Sequence, residues 1–151
     1  MNLIDGLLNS INSLTKRVSR LESQSAPYWV WLAAPLTSTS WDADAKSTTA
    51  KTLLDLSAVF SAPAGIKAIY AHIRGRDSGS AATSQVFFGL SPNNTADSLM
   101  LTASPRGLVV DYYAEAQGVV KCTTDGDVYY QILASGASTM DCVIEIWGYV
   151  I

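Results

Sequence analysis

Six apolar residues near the start of the chain recur at alternating spacings of three and four: Ile4, Leu7, Ile11, Leu14, Val18 and Leu21. This is a heptad seam, with Ile4, Ile11 and Val18 at a and Leu7, Leu14 and Leu21 at d. Leu3 and Leu8 widen the stripe at its start, and beyond Leu8 the residues between are nearly all polar. A helix that packs on its own domain shows a broader apolar face, with e or g positions also apolar. A seam this narrow is instead covered by a helix from another copy. The spacing therefore predicts a coiled-coil stalk over residues 1–24, against the alternative of a helix folded back on its own domain.

Branched residues at a with Leu at d favour two strands by core packing alone. The run Arg17-Val18-Ser19-Arg20-Leu21-Glu22 resembles a short trimerisation motif of coiled coils. In that motif an Arg stem at g lies along the seam, and its head pairs with a Glu at e of a neighbouring helix. Arg17, Val18, Leu21 and Glu22 match. The resemblance implies a homotrimer held by Ile4, Leu7, Ile11, Leu14, Arg17, Val18, Leu21 and Glu22. A helix of this length is marginal alone, so the rest of the chain is expected to help hold the copies together.

Ser23 to Pro27 ends the helix, since Pro27 forces its predecessor towards extended geometry. Residues 25–151 then read as short strands separated by Ser, Thr, Gly, Asn and Asp, with no later helical period. Strands are expected at Tyr28–Leu32, Lys51–Leu56, Ile66–Gly75, Gln85–Leu90, Leu99–Thr102, Gly107–Tyr113, Gly118–Thr123, Asp127–Ala134 and Met140–Val150. Asp125-Gly126 reads as the turn of a hairpin joining the seventh and eighth of these. In the last strand Cys142, Ile144, Ile146, Gly148 and Val150 form the expected core face. Asp141, Val143, Glu145, Trp147 and Tyr149 form the other, suited to solvent or a neighbouring subunit. Ile66–Gly75 is partly apolar on both faces, as for a strand covered on both sides. About nine short strands argue for a mainly β fold: an antiparallel, jelly-roll-like β-sandwich knob behind the stalk.

Charged residues make up only 15% of the chain and the net charge is −3. No basic stripe follows the helix, so a nucleic-acid partner is not expected. No apolar run approaches the length that spans a bilayer, so no membrane insertion is expected. The N-terminus has the heptad order of a stalk and does not read as a signal peptide. Cys122 and Cys142 read as small buried hydrophobes, and a disulfide requires that their strands be neighbours.

The residues give no enzymatic constellation. Asp42 and Asp44 form a DxD pair in a polar passage, more consistent with turn chemistry than with a cation site. Asp125 and Asp127 flank a turn glycine. His72, the only histidine, has no nucleophile marked beside it and reads as structural or inter-subunit. Catalytic residues, metal ligands and cofactors are expected to be none. Trp and Tyr join apolar area to a polar edge, which suits sugar stacking and subunit contacts. Trp41 and the Tyr112-Tyr113 pair are the candidate receptor-binding residues, because they fall near expected loops.

A helix followed by a β-knob introduces a wider resemblance. Leu36–Asp42, Leu53–Ser57, Asp125–Ile132 and Ile144–Tyr149 resemble phrases in the knobs of bacteriophage fibre proteins, particularly from environmental phages. That resemblance implies a trimeric virion-surface fibre or spike, made in the host cytoplasm, in contact with other virion proteins of tail or capsid. It also implies a tip that touches a host surface glycan or protein. The alternatives are a capsid decoration or head fibre protein with a purely structural role, and a polysaccharide depolymerase.

Overall fold

The computed structural model describes residues 3–23, 26–80 and 85–151, with the side chains of residue 3 and residues 20–23 outside the described set. Among the described residues there are two α-helices and nine strands. The heptad stretch is helix α1, Leu3–Ser23. It is followed by strand β1, Trp29–Leu36, a single 3₁₀ turn at Thr39–Trp41, β2, Asp42–Lys46, and β3, Thr48–Leu54. One turn of helix, α2, spans Leu56–Phe60. Then come β4, Ala68–Asp77, β5, Phe87–Ser91, β6, Leu101–Ala103, β7, Ala114–Lys121, β8, Val128–Leu133, and β9, Met140–Val150.

The strands form two antiparallel sheets. The first has the order β1-β9-β4-β7, with β2 also paired to β9; the second has the order β3-β8-β5-β6. A single core lies between them. The first sheet contributes Ile69, Ala71, Ile73, Val120, Ile144 and Ile146, and the second Phe88, Leu90, Leu101, Val128 and Ile132. Among the described residues no helix is long and apolar enough to cross a membrane.

The expected helix and the two-sheet character stand, but several elements are corrected. Helix α2 was not expected; it is one turn long, too short for a period to show. It forms because Asp55 caps it, accepting from Ala58 N at 2.9 Å, while the Asp127 carboxylate accepts from Leu56 N at 3.1 Å. Leu56 and Phe60 enter the core. Strand β2 falls in the passage read as polar loop, and it carries Asp42 and Asp44 along β9 with an irregularity at Ala43 (φ 63°). Gly107–Tyr113 is a loop, not a strand, and β7 begins after it.

The expected hairpin across Asp125-Gly126 does not form. β7 pairs with β4, and β8 pairs with β3 and β5, so this turn carries the chain from one sheet to the other. Gly126 is required there: its φ is 96°, and a Cβ would meet Gly65 N at 2.6 Å. The expected face of β9 reaches the central core through Ile146; Gly148 and Val150 beyond it are buried but lie outside that cluster. Tyr70 pairs with Gly148 and Ala71 with Ile146, so Trp147 is an inserted residue and the alternation flips beyond it. Tyr149 then packs against the core, and Gly148 lies under Trp31, whose ring a Cβ there would approach at 2.9 Å. Finally, β4 is covered on one face only: Ile69, Ala71 and Ile73 are fully buried, whereas Tyr70, His72, Arg74 and Arg76 are half-exposed.

Candidate functional site

The stripe of α1 is open. Leu7 is 65% exposed, Leu14 63%, and Ile11 and Val18 are exposed as well. Among the described residues no strand covers them. Arg17 is exposed on the same helix. The side chains of Leu21 and Glu22, and with them the Arg–Glu pairing of the trimerisation motif, lie outside the described residues.

A second apolar surface lies on the outer face of the first sheet, where β1 follows α1 in the chain. Trp29 and Trp31 stack at 5.2 Å, and Tyr70 meets Trp31 edge-on at 5.4 Å. Val119, opposite Tyr70, is exposed, as is Trp147. Trp31 itself is 62% exposed. Alternation along β1, β4 and β7 places these side chains on one face, away from the core.

The other end of this face is polar and internally paired. His72 Nδ1 lies 3.0 Å from Glu145 and its Nε2 3.4 Å from Glu115. Arg74 pairs with Glu145 at 3.0 Å and Arg76 with Asp141 at 2.8 Å. Burial alone raises the Glu145 carboxyl, but the hydrogen bond from His72 and the charge of Arg74 outweigh it and hold it below its ordinary value. The Arg74 and Arg76 guanidiniums sit over the Tyr113 ring at 5.7 and 5.1 Å. His72 thus lies between two carboxylates on this face.

Asp77 ends β4 on the inner face and is fully buried. Its carboxylate accepts from Gly79 N at 2.7 Å, Ser135 N at 2.9 Å, Thr139 Oγ1 at 3.0 Å and the Ser135 hydroxyl. Burial pushes its pKa up, and these four donors more than reverse the shift. Next to it, Ser80 accepts from Gly107 N at 2.9 Å through its backbone oxygen. The loop that follows displays Leu108, Val109, Val110 and Tyr112 to solvent. Neither the buried carboxylate nor its tie to residues 79, 135 and 139 was anticipated. The signal was the period of β4, which places Asp77 in phase with Ile69, Ala71 and Ile73.

Of the three candidate receptor residues, Tyr112 is 65% exposed, and Tyr113 is half-buried beneath the two arginines. Trp41 is corrected: it is a core residue, 4% exposed. It stacks on Phe88 at 5.7 Å, meets Tyr130 edge-on at 4.8 Å, and is capped by the Lys46 ammonium at 4.4 Å. No described His, Cys, Asp and Glu residues group as a metal site.

The cysteines are free. β4 lies between β9, which carries Cys142, and β7, which ends one residue before Cys122, so the two are not neighbours. Burial pushes both thiols up to about 12. The thiolate is the reactive form, so neither is expected to react with Ellman's reagent at pH 8 until the protein is unfolded. Release of thionitrobenzoate from the native protein within minutes contradicts this.

No protein-family model and no curated protein sequence matches the chain.

Proposed function

We propose that this chain is a homotrimeric bacteriophage virion-surface fibre or spike protein, with α1 as a coiled-coil stalk and the β-domain as a host-contacting knob. The observation that carries the reading is the uncovered heptad stripe of α1 from Leu7 to Val18, which another copy of the same narrow seam matches in spacing. The aromatic surface of Trp29, Trp31 and Tyr70 supports it, because this patch lies on the strand that follows the stalk and continues the contact between copies. Taken with β2 beside β9 in place of β1, the orders β2-β9-β4-β7 and β3-β8-β5-β6 support a jelly-roll reading, in which two Greek keys form an eight-stranded sandwich. The knob then reaches a host glycan or protein, with Tyr112 and its apolar loop as one accessible contact. Other virion proteins of tail or capsid hold the assembly. No enzymatic step belongs to this reading.

Native mass in solution tests it. Three 16.1 kDa chains weigh 48.3 kDa, and that mass is expected at micromolar concentration. A species of 16.1 kDa overturns the trimer and with it the fibre reading.

A further inference from the structure

An open groove of about 850 Å³ lies on the outer face of the second sheet. Gly89 pairs with Gln131, and their neighbours Phe88 and Ile132 point into the core, so Phe87, Gly89 and Gln131 face outwards. Phe87 and Leu99 give the groove an apolar floor, and Lys51, Gln131, Asn94 and Asp97 give it polar walls. Leu99 reaches over Gly89, where a Cβ would stand 2.9 Å from it.

The wall formed by residues 93–98 is held in place. Lys51 Nζ donates to Thr95 O at 2.6 Å and to Ser98 Oγ at 2.5 Å. Asn93 Oδ1 accepts from Thr95 N at 3.0 Å and from Thr95 Oγ1 at 2.6 Å. Gln131 is fixed by donating Nε2 to Thr49 O at 2.7 Å. Among the described residues the side chains of Asn94 and Asp97 make no hydrogen bond or ion pair, and both are exposed. A fixed loop therefore presents a free amide and a free carboxylate beside a half-buried phenyl ring. Binding such a surface orders little of the protein, which preserves affinity.

We propose that this groove binds a neutral hexose unit of a surface polysaccharide. The C–H face of a pyranose suits the Phe87 ring, and vicinal hydroxyls can donate to Asn94 and Asp97 while accepting from the amide of Asn94. An acidic sugar is disfavoured, because the Lys51 ammonium is already engaged and the Asp97 carboxylate repels a second anion. The site rests on the reading of the knob as a host-contacting head and names its sugar class. It lies on the sheet opposite the Trp29–Trp31 face, so association of copies through that face leaves the groove open on every copy.

Saturation-transfer difference NMR on the full chain tests this. The probes are the methyl glycosides of glucose, galactose, mannose and N-acetylglucosamine, with N-acetylneuraminic acid as the acidic comparison. Transfer to at least one neutral glycoside and none to the acid is expected. Phe87→Ala, Asn94→Ala and Asp97→Asn are each expected to weaken it by about fivefold, the worth of one lost contact. If Phe87→Ala fails to fold, the two loop variants decide, since Asn tolerates the left-handed φ of 55° at Asp97. Wild-type affinity in the loop variants overturns the groove while leaving a glycan receptor in place. No transfer from any neutral glycoside, or transfer to N-acetylneuraminic acid alone, overturns the groove, while a 48.3 kDa mass would still uphold the fibre.

Discussion

Asp77→Ala is expected to lower the unfolding free energy by about 3–5 kcal/mol, among the larger effects of a single substitution. The carboxylate is fully buried and takes four hydrogen bonds, from two backbone N–H groups and two hydroxyls, which tie the end of β4 to residues 79, 135 and 139. Alanine removes the acceptor of all four; Ser135 is exposed and Gly79 and Thr139 are half-buried, so water partly replaces it, and each lost bond costs about 1 kcal/mol, the net worth of a hydrogen bond. Asp77→Asn is not expected to rescue them, because its NH₂ group turns a donor towards donors. Heat or urea unfolding followed by circular dichroism measures the loss, about 10 °C in Tm for a chain of this size. A change below about 1 kcal/mol overturns the anchoring role.

The same group sets the acid limit. The folded pKa of Asp77 lies below its ordinary 3.8, and that of Glu145 below 4.5. A carboxyl lowered on folding contributes stability that is complete above the ordinary pKa and is lost as pH falls through the folded one. Unfolding free energy is therefore expected to decline below about pH 4, and Asp77→Ala is expected to flatten part of that decline.

How much was legible in the sequence depends on the range of the interactions involved. The α1 seam is local, and its period emerges from Ile4 to Leu21 without knowledge of the fold. The inner face of β4 was legible for the same reason. The outer faces were not. Trp147 looks like a member of the alternation in β9, and only pairing with β4 reveals it as an inserted residue. Asp125-Gly126 was correctly a turn, but turn chemistry does not say which strands it joins. Residues 107–113 carry enough apolar residues to read as a strand, yet they form an exposed loop tied down by Ser80. Trp41 sits among polar neighbours in sequence, and its burial comes from Phe88 and Tyr130, far along the chain. The groove walls were equally out of reach, since Lys51, Asn94 and Gln131 meet only once β3 and β5 both flank β8.

Two double variants separate the contacts that hold the copies. In the proposed trimer, Ile11→Ser with Leu14→Ser removes six apolar side chains from the seam. At about 2 kcal/mol for each buried side chain, the loss is about 12 kcal/mol per assembly. The native mass is expected to fall from 48.3 to 16.1 kDa at micromolar concentration. The melting of the knob should persist, because these residues are exposed within the single chain and belong to no part of its core. Trp29→Ser with Trp31→Ser leaves the seam intact and removes the stacked pair on the outer sheet face. Trp31 is mostly exposed and Trp29 37% exposed, so the β-domain is expected to remain folded. The assembly should then dissociate on dilution at a concentration at least about tenfold higher than the wild type, because a loss of about 3 kcal/mol per trimer raises the dissociation constant about a hundredfold and the midpoint of a three-body equilibrium follows its square root. Dissociation by the first pair alone confines the contact to the stalk and leaves the tryptophan face for a virion neighbour. Dissociation by both makes stalk and knob one continuous interface, which a seam of only three heptads requires if it is to hold three chains together.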